Sequence, residues 1–225
     1  MPNNPKNLQG DHILEYIELI IIIGSISLLW VYKMYRKRSI EKREAYINNY
    51  KFPKRISETL LATYPHLEAD DLDLIIKGLR EYFHVCNIAG KTMVSMPSQV
   101  VDVAWHEFIL FTRKYESFCQ QALGRFLHHT PAEAMKSKTQ AQDSIKIAWK
   151  IACYRENIDA KAPTKLPLLF ALDSLLQIED GFKYSLDCTA KNGAGYCGGH
   201  IGCSSGCAGD SSSTDSGCGG GCGGD

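Results

Sequence analysis

Residues Asp70 to Cys86 read DDLDLIIKGLREYFHVC. Leu72, Ile75, Ile76, Leu79, Phe83 and Cys86 recur there at three- and four-residue spacing, which on a helix gathers them into one apolar stripe. Asp70, Asp71 and Asp73 fall in the first turn, where the partial positive charge of the unpaired backbone N–H groups favours carboxylates. The stretch predicts an amphipathic helix, and the same period continues downstream. A second helix is expected from about Met96-Pro97-Ser98 to Gln121, with Val101, Ala104, Trp105, Phe108, Thr112, Tyr115 and Cys119 on one face and Gly124 as its stop. A third starts at the capping box Thr130-Pro131-Ala132-Glu133 and buries Ala141, Ile145, Ala148, Trp149, Ala152 and Cys153. A shorter one follows Pro167 through Leu168, Leu169, Leu172, Leu175 and Leu176. Strand alternation is scarce, so the expected class is all-α, with a small helical bundle over residues 56–187.

Upstream of the bundle, Ile13 to Tyr32 reads ILEYIELIIIIGSISLLWVY. As a helix these 20 residues span ~30 Å, the thickness of a bilayer's hydrocarbon core. Glu15 and Glu18 lie in the first turns, within reach of lipid headgroups. A cleaved signal peptide needs a basic start and small residues at its cleavage site, but acids precede this run and Leu29-Trp30-Val31-Tyr32 ends it. The segment is therefore expected to stay as a single-pass anchor. Between Lys33 and Arg55 nine basic residues face two acids, whereas residues 1–12 hold only Lys6. The positive-inside rule then puts residues 1–12 outside and everything after residue 33 in the cytoplasm of a cell-membrane protein. Any cytoplasmic flank is basic, so the segment 33–55 is read as a topology signal rather than as a lipid-recognition motif.

The chain has 225 residues, with 25 basic against 25 acidic side chains. That balance argues against nucleic acid as a partner, because such domains carry a basic excess. From Cys188 the composition changes: 13 of 19 glycines and six of nine cysteines lie in residues 188–225. A segment so poor in large apolar groups is expected to be a disordered tail unless crosslinked or metallated. In a reducing compartment its thiols favour metal over disulfide. Cys197, His200, Cys203 and Cys207 could supply three sulfurs and one nitrogen to zinc, although their spacing is not that of a known zinc finger.

A second group of candidate ligands lies nearer the middle. Asp102 and His106 are four residues apart and so share a helix face, a carboxylate able to orient a metal-bound imidazole from behind, with Glu107 beside them. His128 and His129 precede the expected third helix. If His106 to Gln121 were straight helix it would rise ~22 Å, and residues 122–128 would have to run back fully extended to bring the histidines together. Packing and capping are the plainer roles for these rings. Cys86, Cys119, Cys153, Trp105 and Trp149 read as core residues. Nucleophile elbow, phosphate loop and dinucleotide glycine motif are all missing from the sequence.

The string Met96-Pro97-Ser98, Val101-Asp102-x-x-Trp105-His106-Glu107-Phe108-Ile109-Leu110, Tyr115-x-x-Phe118-Cys119, Gly124-Arg125-Phe126-Leu127-His128-His129-Thr130-Pro131 resembles the glycine-rich domain-containing protein-like family, as does the Gly/Cys ending. The likeness covers about Ile56 to the C-terminus and implies a helical domain; where that family carries Trp-His-x-His, Phe108 stands here. The expected function is a membrane-anchored binding or scaffold module whose cysteine-rich tail binds a protein partner or a soft metal such as zinc, a reading that favours a binding role over an enzyme. Two rivals remain: a metal-dependent enzyme on His106, His128 and His129 with Glu107 as general base, and a thiol redox sensor.

Overall fold

The computed structural model describes residues 6–129, 138–186, 196–197 and 201. Among these, seven helices and two short strands follow one another: α1 (Lys6–Asn49), α2 (Arg55–Thr63), α3 (Ala69–Ala89), α4 (Gln99–Ile109), α5 (Thr112–Leu123), α6 (Lys138–Arg155), α7 (Leu168–Leu175), β1 (Tyr184–Ser185) and β2 (Tyr196–Cys197). The expected helical class holds.

Helix α3 is the centre against which α1, α4, α5, α6 and α7 pack. Its start is a capping box in which the Glu68 and Asp71 side chains each accept from the other's backbone N–H, and it ends at Gly90, whose φ of 65° favours a residue without a β-carbon. Ile75, Leu79, Phe83 and Cys86 of the expected stripe are fully buried. Around Phe83 gather Tyr50, Phe52, Phe108 and Phe118, with the Phe83 and Phe118 ring centres 4.6 Å apart. Gly78 lets α3 approach α7 closely: a β-carbon there would run into the Leu172 side chain.

Helix α1 divides into two environments. Every large apolar side chain from Leu19 to Tyr32 is more than half exposed. Within Glu18–Asn49 an 18-residue window has mean hydropathy 1.5 and none of it is buried, so α1 is long and apolar enough to cross a membrane. Beyond Lys33 the helix continues into the domain, where Ile47 is fully buried and Tyr46, Tyr50 and Phe52 pack on the core. Its partners fall on α3 in reverse order. Arg36 lies at Gly90, the Ile40 carbonyl accepts from Asn87, the Asn48 side chain meets His84, and the Ile47 and Tyr50 carbonyls accept from Arg80. Arg155 ties the pair together through Glu44 at 3.1 Å and Glu81 at 2.8 Å. The segment 33–55 is thus part of the domain's core as well as a basic stretch.

The single helix expected from Met96 to Gln121 is two. It starts as expected, with Ser98 as N-cap accepting from the Val101 N–H, but breaks at Leu110–Phe111, where the Phe111 N–H turns back to the Phe108 carbonyl. The physical reason is a buried pair: Trp105 Nε1–H donates to the Tyr115 hydroxyl at 3.1 Å. On a straight helix residues ten apart would stand ~15 Å apart along the axis. Helix α5 ends on Gly124 in the left-handed conformation, as its position predicts. Helix α7 follows Pro167 as expected.

The capping box at 130–133 lies outside the described residues, as does the tail apart from three positions. Those three show folded backbone: β2 pairs in parallel with β1, Tyr196 opposite Tyr184 and Cys197 opposite Ser185, and Ile201 is buried.

Candidate metal-binding cleft

Three connections bring the site together. The Tyr115 hydroxyl, held by Trp105, donates in turn to the Leu127 carbonyl at 2.5 Å. Arg125 Nε donates to the Gly90 carbonyl at 2.8 Å. Together these draw the segment after α5 back along α4, so that the break at Leu110–Phe111 supplies the return path that a straight helix would have denied. His129 arrives against Trp105, ring centres 4.8 Å apart, and against His106, 4.1 Å apart.

Asp102 lies between the two histidines. His129 Nε2 is 3.2 Å from Oδ1, and His106 Nδ1 is 3.2 Å from Oδ2 and 2.9 Å from the Asp102 carbonyl oxygen. Both contacts face acceptors, which assigns the ring protons to His106 Nδ1 and His129 Nε2 and leaves each ring one lone pair. One ligand atom from each of Asp102, His106 and His129 lies within 4.8 Å of the others. The sequence puts Asp102 behind His106 as an orienting group; its carboxylate meets that ring and the His129 ring as well, which brings a carboxylate oxygen into the same cluster as both imidazoles. His106 side-chain exposure is 52%, against 19% for His129 and 21% for Asp102, so the cluster is open on one side.

That side is a cleft of about 610 Å³ whose walls include Tyr82, Cys86, Gln99, Trp105, Phe182 and the 91–96 segment. Burial pushes the Cys86 thiol up to about 12 and holds the Tyr82 phenol well above its ordinary range, so neither wall residue is ionised near neutrality.

The other sequence candidates fall elsewhere. His128 lines the cleft but is exposed and packs on Phe126 at 4.7 Å, apart from the cluster. Glu107 pairs with Arg55 Nε at 2.9 Å and does not line the cleft. Cys197 lies on β2; His200, Cys203 and Cys207 lie outside the described residues. Cys86, Cys119 and Cys153 are buried core thiols.

A carboxylate not singled out in the sequence is as deeply engaged as any. Asp173 on α7 accepts from Ser98 Oγ at 2.6 Å and from the backbone N–H groups of Gln99 at 2.7 Å, Val100 at 3.2 Å and Phe182 at 2.8 Å. It closes the N-terminus of α4 and so sets the height of Asp102 and His106 one to two turns on. The available signal is a lone acid in the apolar run Leu168 to Leu176.

Fold and site thus describe a helical domain that carries a two-histidine, one-carboxylate cluster on a cleft wall. A family model described as UCP032817-like matches residues 42–202, and the chain belongs to that family. The matched stretch runs from the domain-bound end of α1 past β2 and excludes the exposed apolar part of α1. No curated protein matches the chain, and no solved structure does.

Proposed function

We propose that this is a single-pass membrane protein whose cytoplasmic helical domain binds a divalent transition metal through Asp102, His106 and His129 and presents it to a small ligand in the adjoining cleft. The observation that carries the reading is the convergence of the three groups within 4.8 Å beside an open cavity. Two imidazoles and one carboxylate suit zinc or ferrous iron, and three protein ligands leave a position for water or a ligand, unlike the closed four-ligand shell of a structural zinc. The anchor and its orientation rest on the exposed apolar length of α1 and on the basic residues that follow it.

Elemental analysis of the detergent-purified full chain tests this. Near-stoichiometric zinc or iron is expected, lost when Asp102, His106 and His129 are all changed to alanine and kept when Cys197, Cys203 and Cys207 are changed to serine. Metal lost only with the cysteines would move the site to the tail. No metal in any sample would sink both metal readings and leave the histidines as packing groups. A metal-dependent enzyme is the second reading, favoured by the open cleft; Glu107 does not serve as its base, being held by Arg55.

A further inference from the structure

The reverse order of partners between α1 and α3 fixes which end of the domain lies nearest the apolar run. Moving up α1 from Asn48 to Arg36 leads down α3 from His84 to Gly90. Arg36 Nη2 comes within 3.8 Å of where a β-carbon on Gly90 would sit. Arg36 is one turn past Tyr32, ~6 Å along the axis, and the polar layer on each side of a bilayer's hydrocarbon is ~5 to 8 Å deep. The loop that follows Gly90 therefore stands at headgroup height if the apolar run spans the bilayer. Arg125 reaches Gly90 from the end of α5, while Gly124 is packed against the Arg43 guanidinium, about two turns further along α1.

This end carries two independent signals. One is unpaired positive charge. Lys91 is exposed, and among the described residues neither Lys91 nor Arg125 meets an acid; Arg125 donates to the Gly90 carbonyl through Nε. Gly90 and Gly124 end helices α3 and α5, whose C-termini would repel an anion, but Arg36 and Arg43 stand against those ends and offset them. The other signal is exposed apolar surface: Met93 and Phe126 flank these cations, and Phe182 lies on the cleft wall. Cations alternating with exposed large apolar side chains suit a surface that rests in the interfacial layer of an anionic leaflet.

We propose that Lys91 and Arg125, supported by Arg36, bind the phosphate of an anionic membrane lipid and hold the mouth of the cleft against the bilayer. The inference rests on the anchor in the proposed function and not on the metal. Lys91 and Arg125 line the cleft that contains the cluster, so a seated headgroup stands at the cleft's entrance.

Hydrogen exchange of the full chain in nanodiscs tests the docking. Incorporation into phosphatidylcholine discs is measured first, and a chain that does not incorporate overturns the anchor and this proposal together. In discs rich in phosphatidylserine, amides of residues 91–95 and 124–128 are expected to exchange about tenfold more slowly than in phosphatidylcholine discs. High salt and Lys91→Glu should each erase most of the difference. Lys91 is exposed and meets no acid among the described residues, and unchanged exchange in α4 and α5 verifies that the variant is folded. Equal exchange in the two lipids, or a difference that survives Lys91→Glu, overturns the proposal. So does slowing by inorganic phosphate alone in phosphatidylcholine discs, which would make this a site for free phosphate. The variant with alanine at Asp102, His106 and His129 should keep the lipid effect, and its metal content reports separately on the metal reading.

Discussion

Asp173 and Asp102 both serve helix α4, one from a neighbouring helix and one from its own first turn, and they are met by different shells. Asp173 is 2% exposed and its two oxygens take four donors, three from the start of α4 and one from Phe182. A buried carboxylate so filled has no capacity left for a ligand, and it serves to join segments far apart in sequence. Asp102 meets two imidazoles, each with a second nitrogen to spare, at the edge of a cavity. Burial alone would rank Asp173 as the more notable group; the chemistry of the partners reverses that order, because imidazoles can turn from hydrogen bonding to coordination and backbone N–H groups cannot.

The contrast can be broken most directly at Asp173. Asp173→Ala leaves four donors without their acceptor, and we expect a loss of about 3 kcal/mol or more in unfolding free energy, seen as a lowered denaturation midpoint of the purified chain. Next in size is Gly181→Ala, whose new β-carbon would stand 2.6 Å from the Asp173 β-carbon and 3.0 Å from that of Ile178. A loss of about 1 to 3 kcal/mol is expected there, with metal content unchanged.

A third buried polar group sharpens the comparison through pH. His84 bonds Asn48 by Nε2 at 2.8 Å while its Nδ1 has no partner among the described residues. Burial, reinforced by the Arg155 charge, lowers its pKa from 6.5 to about 4. The unfolded chain then binds more protons than the folded one between those values, so this contribution is intact above pH 6.5 and is lost as pH falls towards 4. Midpoints measured across that window should drop less for His84→Gln than for the native sequence. The smallest effect is expected at the cleft: replacing His106 and His129 by alanine should change stability by less than about 1 kcal/mol, since partly exposed pairs contribute little, while abolishing metal binding. A large loss of stability there would reduce the Asp102 cluster to a structural network like that of Asp173.

Much of this was open to reading from the sequence. Helix α3 and its buried stripe follow from spacing, and its acidic start, the helix start near Ser98, the Gly124 stop and the helix after Pro167 follow from residue type. The break at Leu110–Phe111 was hidden because the apolar stripe keeps step across it: Phe108, Thr112 and Tyr115 continue the spacing, so periodicity records no interruption. What forces the break is the Trp105–Tyr115 bond, a tertiary contact. The same contact explains why His106 and His129 look remote in sequence and meet in space. Tyr46, Ile47, Tyr50 and Phe52 were masked by the lysines and arginines among which they sit, whose charge dominates any average over that stretch. Asp173 is inconspicuous for the opposite reason: it is one acid in an apolar run whose leucines dominate the pattern.

The edge-on contact between Trp105 and His129 gives the cleft an optical signature. Of three tryptophans, Trp30 stands exposed on α1 and Trp149 is buried with its N–H on the Ala160 carbonyl, so only Trp105 touches the imidazole pair. A paramagnetic ion such as Cu²⁺ seated on His129 would be next to that indole and would quench its fluorescence. The domain thus holds its own lamp beside the cleft, and occupancy becomes a colour and intensity reading made on the unlabelled chain.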